Sequence, residues 1–423
     1  MADVRFLEEV LSDQKYELEL KAKKRFVYRR EEAQIELDSP LAQVIIGVRR
    51  CGKSTMCLNV LKNAGVKFGY VNFDDERLDK IDSDDLNDIL EVLFKINGEF
   101  NYLFIDEIQN IPGWHLFVNR LLRREMHLII TGSNANLLSG ELATHLTGRH
   151  KPINLYPFSF GEFCDWKGVE TAGLATHLVA KRRAAFDEYM NQGGFPELLQ
   201  LSNHRPYIDS LVRSIVKRDI EQRFRIVHKA TFEQIVQHVL IVAPTIMSDK
   251  SLAEAFGVAS PHTIKKYLGY MQEAFLMSEL KKFSFKSRQR FVQEKAYPID
   301  VALMNNRQDA FAARNLGARL EAIVYIELLR RCVSEGKDVF YYADRSSECD
   351  FIICDRGKVE TAIQVSYDIS GPKTRKREIN GLLAAARNLK AQQLLLLTDH
   401  EYTDTEVDGH RISIRPVYEW TLE

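Results

Sequence analysis

Gly47-Val48-Arg49-Arg50-Cys51-Gly52-Lys53-Ser54-Thr55 decides how this chain is read, because it follows the apolar run 41–46 and opens a segment with helical spacing. The spacing is GxxxxGK[ST], and each residue type in it has a physical reason. Gly47 and Gly52 permit a tight turn. Backbone N–H groups of the loop and of the helix start converge where a phosphate anion is stabilised. Lys53 then reaches the β- and γ-phosphates, and Ser54 ligates Mg²⁺. An accidental Gly-Lys-Ser turn would need no buried strand before it and no helix after it; both are present. The stretch Gly47 to Thr55 is therefore read as an ATP-binding loop, with ATP and Mg²⁺ as the expected cofactors.

Outward from the loop, apolar runs at 68–73, 102–105, 127–130 and 153–156 alternate with helical stretches, which predicts parallel βαβ units with helices on both faces of a sheet. The third run continues as Tyr102-Leu103-Phe104-Ile105-Asp106-Glu107. Asp106 falls where a carboxylate would hold Mg²⁺ through water, and Glu107 where a base would orient the attacking water. A pair of acids capping the next loop is the plainer alternative. The fourth run leads into Thr131-Gly132-Ser133-Asn134, whose polar groups reach a strand's carboxyl edge, where a γ-phosphate and water would lie. Arg149, in Thr147-Gly148-Arg149, is placed to act in trans on a neighbouring subunit's nucleotide.

Together, Gly47 to Thr55, Asp106-Glu107-Ile108-Gln109, Ile130-Thr131-Gly132-Ser133-Asn134 and Leu146-Thr147-Gly148-Arg149 resemble an AAA+ ATPase. With Gly193-Gly194-Phe195-Pro196 and the C-terminal half, nearly the whole chain is similar to prokaryotic AAA ATPases fused to a C-terminal domain of unknown function. The resemblance implies an α/β AAA+ P-loop core with a parallel sheet, a helical lid, hydrolysis of ATP to ADP and a homo-oligomer. It also implies Asn134 or Ser133 as the sensor residue and Arg149 as the arginine finger. Where many such lids carry a nucleotide-sensing arginine, this one continues Phe195-Pro196-Glu197.

The expected division is N-terminal helices at 1–38, the ATPase core at 39–157, a helical lid at 158–243, a winged-helix-like module at 244–297 and a C-terminal domain at 298–423. The first segment carries Phe6, Leu7, Val10 and Leu11 at helical spacing. In the fourth, a Gly-containing turn joins a short helix to a second one opening at Ser260-Pro261, with His262, Lys265 and Lys266 on its outer positions. The segment Lys281 to Lys295 then holds six bases, including Lys286, Arg288 and Arg290, against one acid. Such a helix-turn-helix with a basic wing suits double-stranded DNA, and equally suits a spacer or a protein-docking surface.

The last segment resembles the restriction-endonuclease-like PD-(D/E)XK fold. That resemblance implies a metal site made by a helical acid, Glu321, a strand acid, Asp350, and an E-x-K pair, here Gln364-Val365-Ser366. Gln364 replaces a carboxylate and Ser366 the lysine. Losing both charges argues against cleavage and for a vestigial site with a binding or scaffold role. Lys373, Arg375, Lys376 and Arg377 follow.

Composition bounds the rest. At 423 residues the chain exceeds one ordinary core. Its 58 bases balance 59 acids, so nucleic-acid binding would have to be local: nine acids and two bases fall within 74–91, opposed by the basic run at 281–295. Six cysteines without a CxxC pair suggest reduced thiols. No apolar run approaches the ~20 residues of a membrane span, and the N-terminus shows no signal pattern, so the expected location is cytoplasmic, away from membranes.

Overall fold

β1 (Ala42–Ile46) is buried at all five positions, as expected of a strand covered on both faces of a parallel sheet. The computed structural model describes residues 3–134, 146, 148–284, 294–305, 316–345 and 347–423. The chain folds as two compact units, Met1–Leu155 with Glu273–Phe275, and Tyr156–Gln272 with Leu276–Glu423.

In the first unit, α1 (Val4–Ala22) precedes β1, and then come α2 (Lys53–Ala64), β2 (Phe68–Asn72), α3 (Leu86–Asn97), β3 (Tyr102–Asp106), α4 (Trp114–Arg123), β4 (His127–Gly132) and β5 (His150–Asn154). The five strands form one parallel sheet in the order β2-β3-β4-β1-β5. The order reverses direction after β1, so the loop after β1 opens at the sheet's topological switch point, the usual ligand position of such sheets.

Two expectations shift. The fifth strand begins at His150, not at 153, because Pro152 lies within it; a proline is tolerated on an edge strand, where one side needs no ladder donor. The buried stripe of α1 is Leu7, Val10, Leu11, Gln14 and Leu18, which leaves Phe6 off the stripe and exposed. Gln14 joins the stripe because its amide bonds the β2 end: it donates to Asn72 O and accepts from Asn72 N.

In the second unit, α5 (Phe160–Lys167) opens with a Ser159–Glu162 capping box. α6 (Thr176–Gln192), α7 (His204–Ser214) and α8 (Lys229–Val242) follow, with a π-helical stretch at Ile215–Glu221. The helices break at Gly193-Gly194, as the sequence predicts. Gly193 has φ +78°, and a Cβ there would lie 2.0 Å from Asp300 Oδ1. Asp300 is buried and accepts from Gly194 N at 2.9 Å and Ala302 N at 2.8 Å.

Next, β6 (Thr245–Met247), α9 (Asp249–Ala255), α10 (Pro261–Glu273), β7 (Met277–Lys281) and β8 (Glu294–Pro298) bring two helices beside a three-stranded antiparallel sheet of order β6-β8-β7. After α11 (Ala302–Asn305) and α12 (Leu316–Glu335), β9 (Asp338–Ala343), β10 (Glu348–Asp355), β11 (Lys358–Val365), α13 (Pro372–Leu389), β12 (Gln393–Thr398), β13 (Thr403–Val407), β14 (His410–Pro416) and α14 (Val417–Trp420) complete the chain. Their six-stranded mixed sheet runs β13-β14-β12-β11-β10-β9. β13 lies where the sequence carries no strand pattern, being mostly exposed and polar, whereas β14 alternates buried Ile412 and Ile414 with polar residues. Among the described residues, no helix is long and apolar enough to cross a membrane.

Candidate active site

Gly47 is the residue that lets the loop return over the sheet, since a Cβ there would sit 2.0 Å from Leu155 O. Gly52, at φ +103°, caps α2 without a side-chain bond and leaves the first amides of that helix unbonded by a cap. Val48 and Cys51 are buried within the loop, whereas Arg50 and Thr55 are exposed. Burial pushes the Cys51 thiol above its ordinary value, so it stays protonated. Arg29, from upstream, donates to Cys51 O at 3.0 Å and braces the loop from below.

Lys53 is buried and donates to Gly47 O at 3.1 Å and Val48 O at 3.4 Å; its ammonium lies 3.5 Å from Glu107 Oε1. Ser54 Oγ donates to Asp106 Oδ1 at 2.9 Å, and Tyr70 OH to Asp106 Oδ2 at 3.3 Å. Thr131 is a junction: its hydroxyl donates to Asp106 Oδ1 and accepts from Glu107 N at 3.1 Å. Glu107 sits at φ +54°, a left-handed conformation that turns its carboxylate back over the sheet end. There it accepts from Ser133 N at 3.2 Å and from Gln109 Nε2.

The two neighbouring acids are pushed apart. Burial raises Asp106, helped by the charge of Glu107. Burial also acts to raise Glu107, but Lys53, then Arg49, and bonds from Gln109 and Ser133 outweigh it and hold Glu107 below the ordinary carboxylate range. One acid ready to accept a metal's charge thus stands beside one held ionised.

Of the residues read from sequence, the structure brings together Lys53, Ser54, Asp106, Glu107 and Ser133. Asn134 is buried next in sequence to Ser133, and Arg149 is exposed just ahead of β5. Tyr70 carries no motif that marks it in the sequence, and Gln109 is marked only as the end of the Asp106-Glu107-Ile108-Gln109 box; both act through short-range bonds to the acids. Among the described residues, Gln109 Oε1 is buried without a hydrogen-bond partner. The loop glycines, the uncapped helix start, the hard oxygens of Ser54 and Asp106, and that spare acceptor are the chemistry of a site for a nucleotide phosphate and Mg²⁺.

In the second unit, α10 buries Ile264 and Leu268 and exposes His262, Lys265 and Lys266, the face expected. Lys286, Arg288 and Arg290 lie outside the described residues. Lys295 does not stand on a basic surface: it is buried on β8, its ammonium 3.6 Å from Glu321 Oε1 and 3.8 Å from Asp350 Oδ1, and paired with Glu348. A cation therefore occupies the acid cluster although Ser366 supplies none. Gln364 donates to Glu378 Oε2 at 2.7 Å, and Asp350 accepts from Val365 N at 2.9 Å where β10 is irregular in register. Burial, then Glu321, raises Asp350 well above its ordinary value, and burial raises Glu321. These residues and Ser366 line a cavity of about 900 Å³, with Lys373, Lys376 and Arg377 at its wall. Among the described residues, no group of three or more His, Cys, Asp or Glu side chains is arranged to hold a metal ion.

Comparison with known proteins agrees with the loop geometry. Residues 39–164 match an AAA domain, and residues 183–314 a domain of unknown function (DUF8612). The chain is 31% identical to Uncharacterized protein MJ1544 of Methanocaldococcus jannaschii, aligning over all of this chain and 96% of that one. It is 32% identical to an uncharacterized protein of Haemophilus influenzae, over 91% of this chain and 95% of that one. The Walker-type ATPase of Pyrococcus abyssi overlaps 68% of this chain and 96% of its own at 13% identity, with a TM-score of 0.43. The chain thus belongs to one family with the Methanocaldococcus and Haemophilus proteins, and carries an AAA domain followed by a domain of unknown function.

Proposed function

We propose that the protein is a Mg²⁺-dependent ATPase that couples its nucleotide state to a conformational change on DNA. The observation that carries the hydrolytic reading is the convergence of Lys53, Ser54, Asp106, Thr131, Glu107 and Ser133 at the carboxyl edge of β1, β3 and β4. Lys53 and the loop amides would hold the phosphates; Ser54 and Asp106 would hold Mg²⁺, which would neutralise phosphate charge. Glu107, ionised, accepts a proton from the attacking water, and Ser133 with Asn134 orients it. Exposed Arg149 fits a role on a neighbouring subunit's nucleotide in a homo-oligomer.

DNA as the partner rests on the exposed His262, Lys265 and Lys266 of α10, the first residues of a helix that phosphates and a groove would meet. The cavity beside Lys373, Lys376 and Arg377 serves as a further binding module. Duplex binding and ATP turnover measured together over a salt series test this reading. Binding that weakens as salt rises and changes with ATP supports it. A flat salt response, with turnover unaffected by DNA, would transfer the role to a protein partner.

A further inference from the structure

Strand order places β4 and β3 between β1, whose end opens into the loop, and β2, beyond whose end Asp74 lies. With about 4.8 Å between neighbouring strands, β1 and β2 are about 14 Å apart. Arg49 Nη1 nevertheless reaches Asp74 Oδ2 at 3.0 Å. Asp74 is fixed there by its own N–H, which donates to Asn72 Oδ1 at 3.0 Å, and Asn72 is in register with Asp106. From the loop, Arg49 must therefore cross the carboxyl ends of β4 and β3, the ends that carry Ser133 and the Asp106–Glu107 pair.

We propose that Arg49 is a catalytic cation acting in cis, which exchanges Asp74 for the γ-phosphate when ATP occupies the loop. This rests on the nucleotide reading above. The Arg49 side chain is 13% exposed and that of Asp74 31%, so the pair is partly open to solvent, and a polyanion with several oxygens competes with one carboxylate for the guanidinium fork. In hydrolysis the water oxygen bonds to the γ-phosphorus, and the bond from that phosphorus to the β–γ bridging oxygen breaks. The bridging oxygen keeps the electron pair as ADP leaves, and the water proton passes to Glu107. Arg49 exchanges no proton; it lies against the oxygens on which negative charge accumulates. The active site so described has a cation from its own chain as well as the one offered by Arg149.

Calorimetric titration with ADP and with a non-hydrolysable ATP analogue, both with Mg²⁺, tests the assignment on wild type, Arg49→Ala, Arg49→Lys and Asp74→Asn. Arg49→Ala should lose about tenfold in affinity for the triphosphate and none for ADP, Arg49→Lys should keep part of the preference, and kcat of Arg49→Ala should fall by about a thousandfold. Asp74→Asn should bind the triphosphate more tightly, with ADP unchanged. Equal losses for both nucleotides in Arg49→Ala would make Arg49 a structural prop and overturn the assignment, as would unchanged affinities and rate. Weaker or unchanged triphosphate binding by Asp74→Asn overturns the exchange. If wild type binds neither nucleotide, the nucleotide reading itself fails, an outcome distinct from all of these.

Discussion

Single residues in this protein matter most where a buried charge has no water to share. Asp300 shows this away from the active site. Burial raises its carboxyl to about 6, against the pull of the Ala302 and Gly194 amides and Arg330. A carboxyl raised on folding stabilises fully below its unfolded value near 3.8, and that contribution is lost as pH rises through about 6. The stability difference between wild type and Asp300→Asn should therefore shrink from pH 4 to pH 7 by an amount on the order of 3 kcal/mol. Urea unfolding of both proteins across that range measures it, and a pH-independent difference would mean that Asp300 keeps its ordinary titration. At the active site the same physics separates Asp106 from Glu107, a division the sequence shows only as two adjacent acids. That division comes from Thr131, Tyr70 and Lys53, which approach from other elements, and from Gln109 in the turn that Glu107 opens.

Elements are legible in the sequence where burial is uniform. β1 through β4 announce themselves as apolar runs, those of β2 to β4 ending in polar residues, and Gly47 to Ser54 announces the loop between β1 and α2. β5 is misplaced because Pro152 interrupts its pattern, and β13 is missed because an exposed edge strand carries little hydrophobic signal; β14 lies inside the sheet, and its alternating Ile412 and Ile414, with the Asp408-Gly409 turn whose φ angles are both positive, are the hairpin's readable marks. Lys295 is legible as a base but not as a partner of Glu321, Glu348 and Asp350, since that role depends on which strands meet around β8. The loop's own geometry gives a prediction at this scale. Gly47→Ala would force a Cβ to 2.0 Å from a backbone oxygen, and the loop must move at a cost of about 1–3 kcal/mol. ATP affinity should fall by about tenfold or more, and the melting temperature by several degrees, as a loss of that size implies. An unchanged affinity would show that the turn relaxes without disturbing the phosphate cradle.

Over the whole molecule, a formal net charge of −1 conceals opposed regions. Acids crowd 74–91, where Asp74 and Asp75 hold Arg49, Arg77 and Gln14, so part of that excess is spent on internal pairing. Lys295, counted in the basic run, is likewise spent inside. What remains outward on α10 is a short basic face, consistent with a local contact to phosphates and not with a uniformly cationic binder. The central claim is that Glu107 is the base of an ATP-hydrolysing site whose phosphates are held by Lys53. Single-turnover hydrolysis of radiolabelled ATP, run beside equilibrium ATP binding on wild type, Lys53→Ala and Glu107→Gln, tests it most directly. Lys53→Ala should lose tight binding, whereas Glu107→Gln should bind ATP as wild type does and hydrolyse it about a hundredfold or more slowly. Hydrolysis by Glu107→Gln at the wild-type rate would contradict the account.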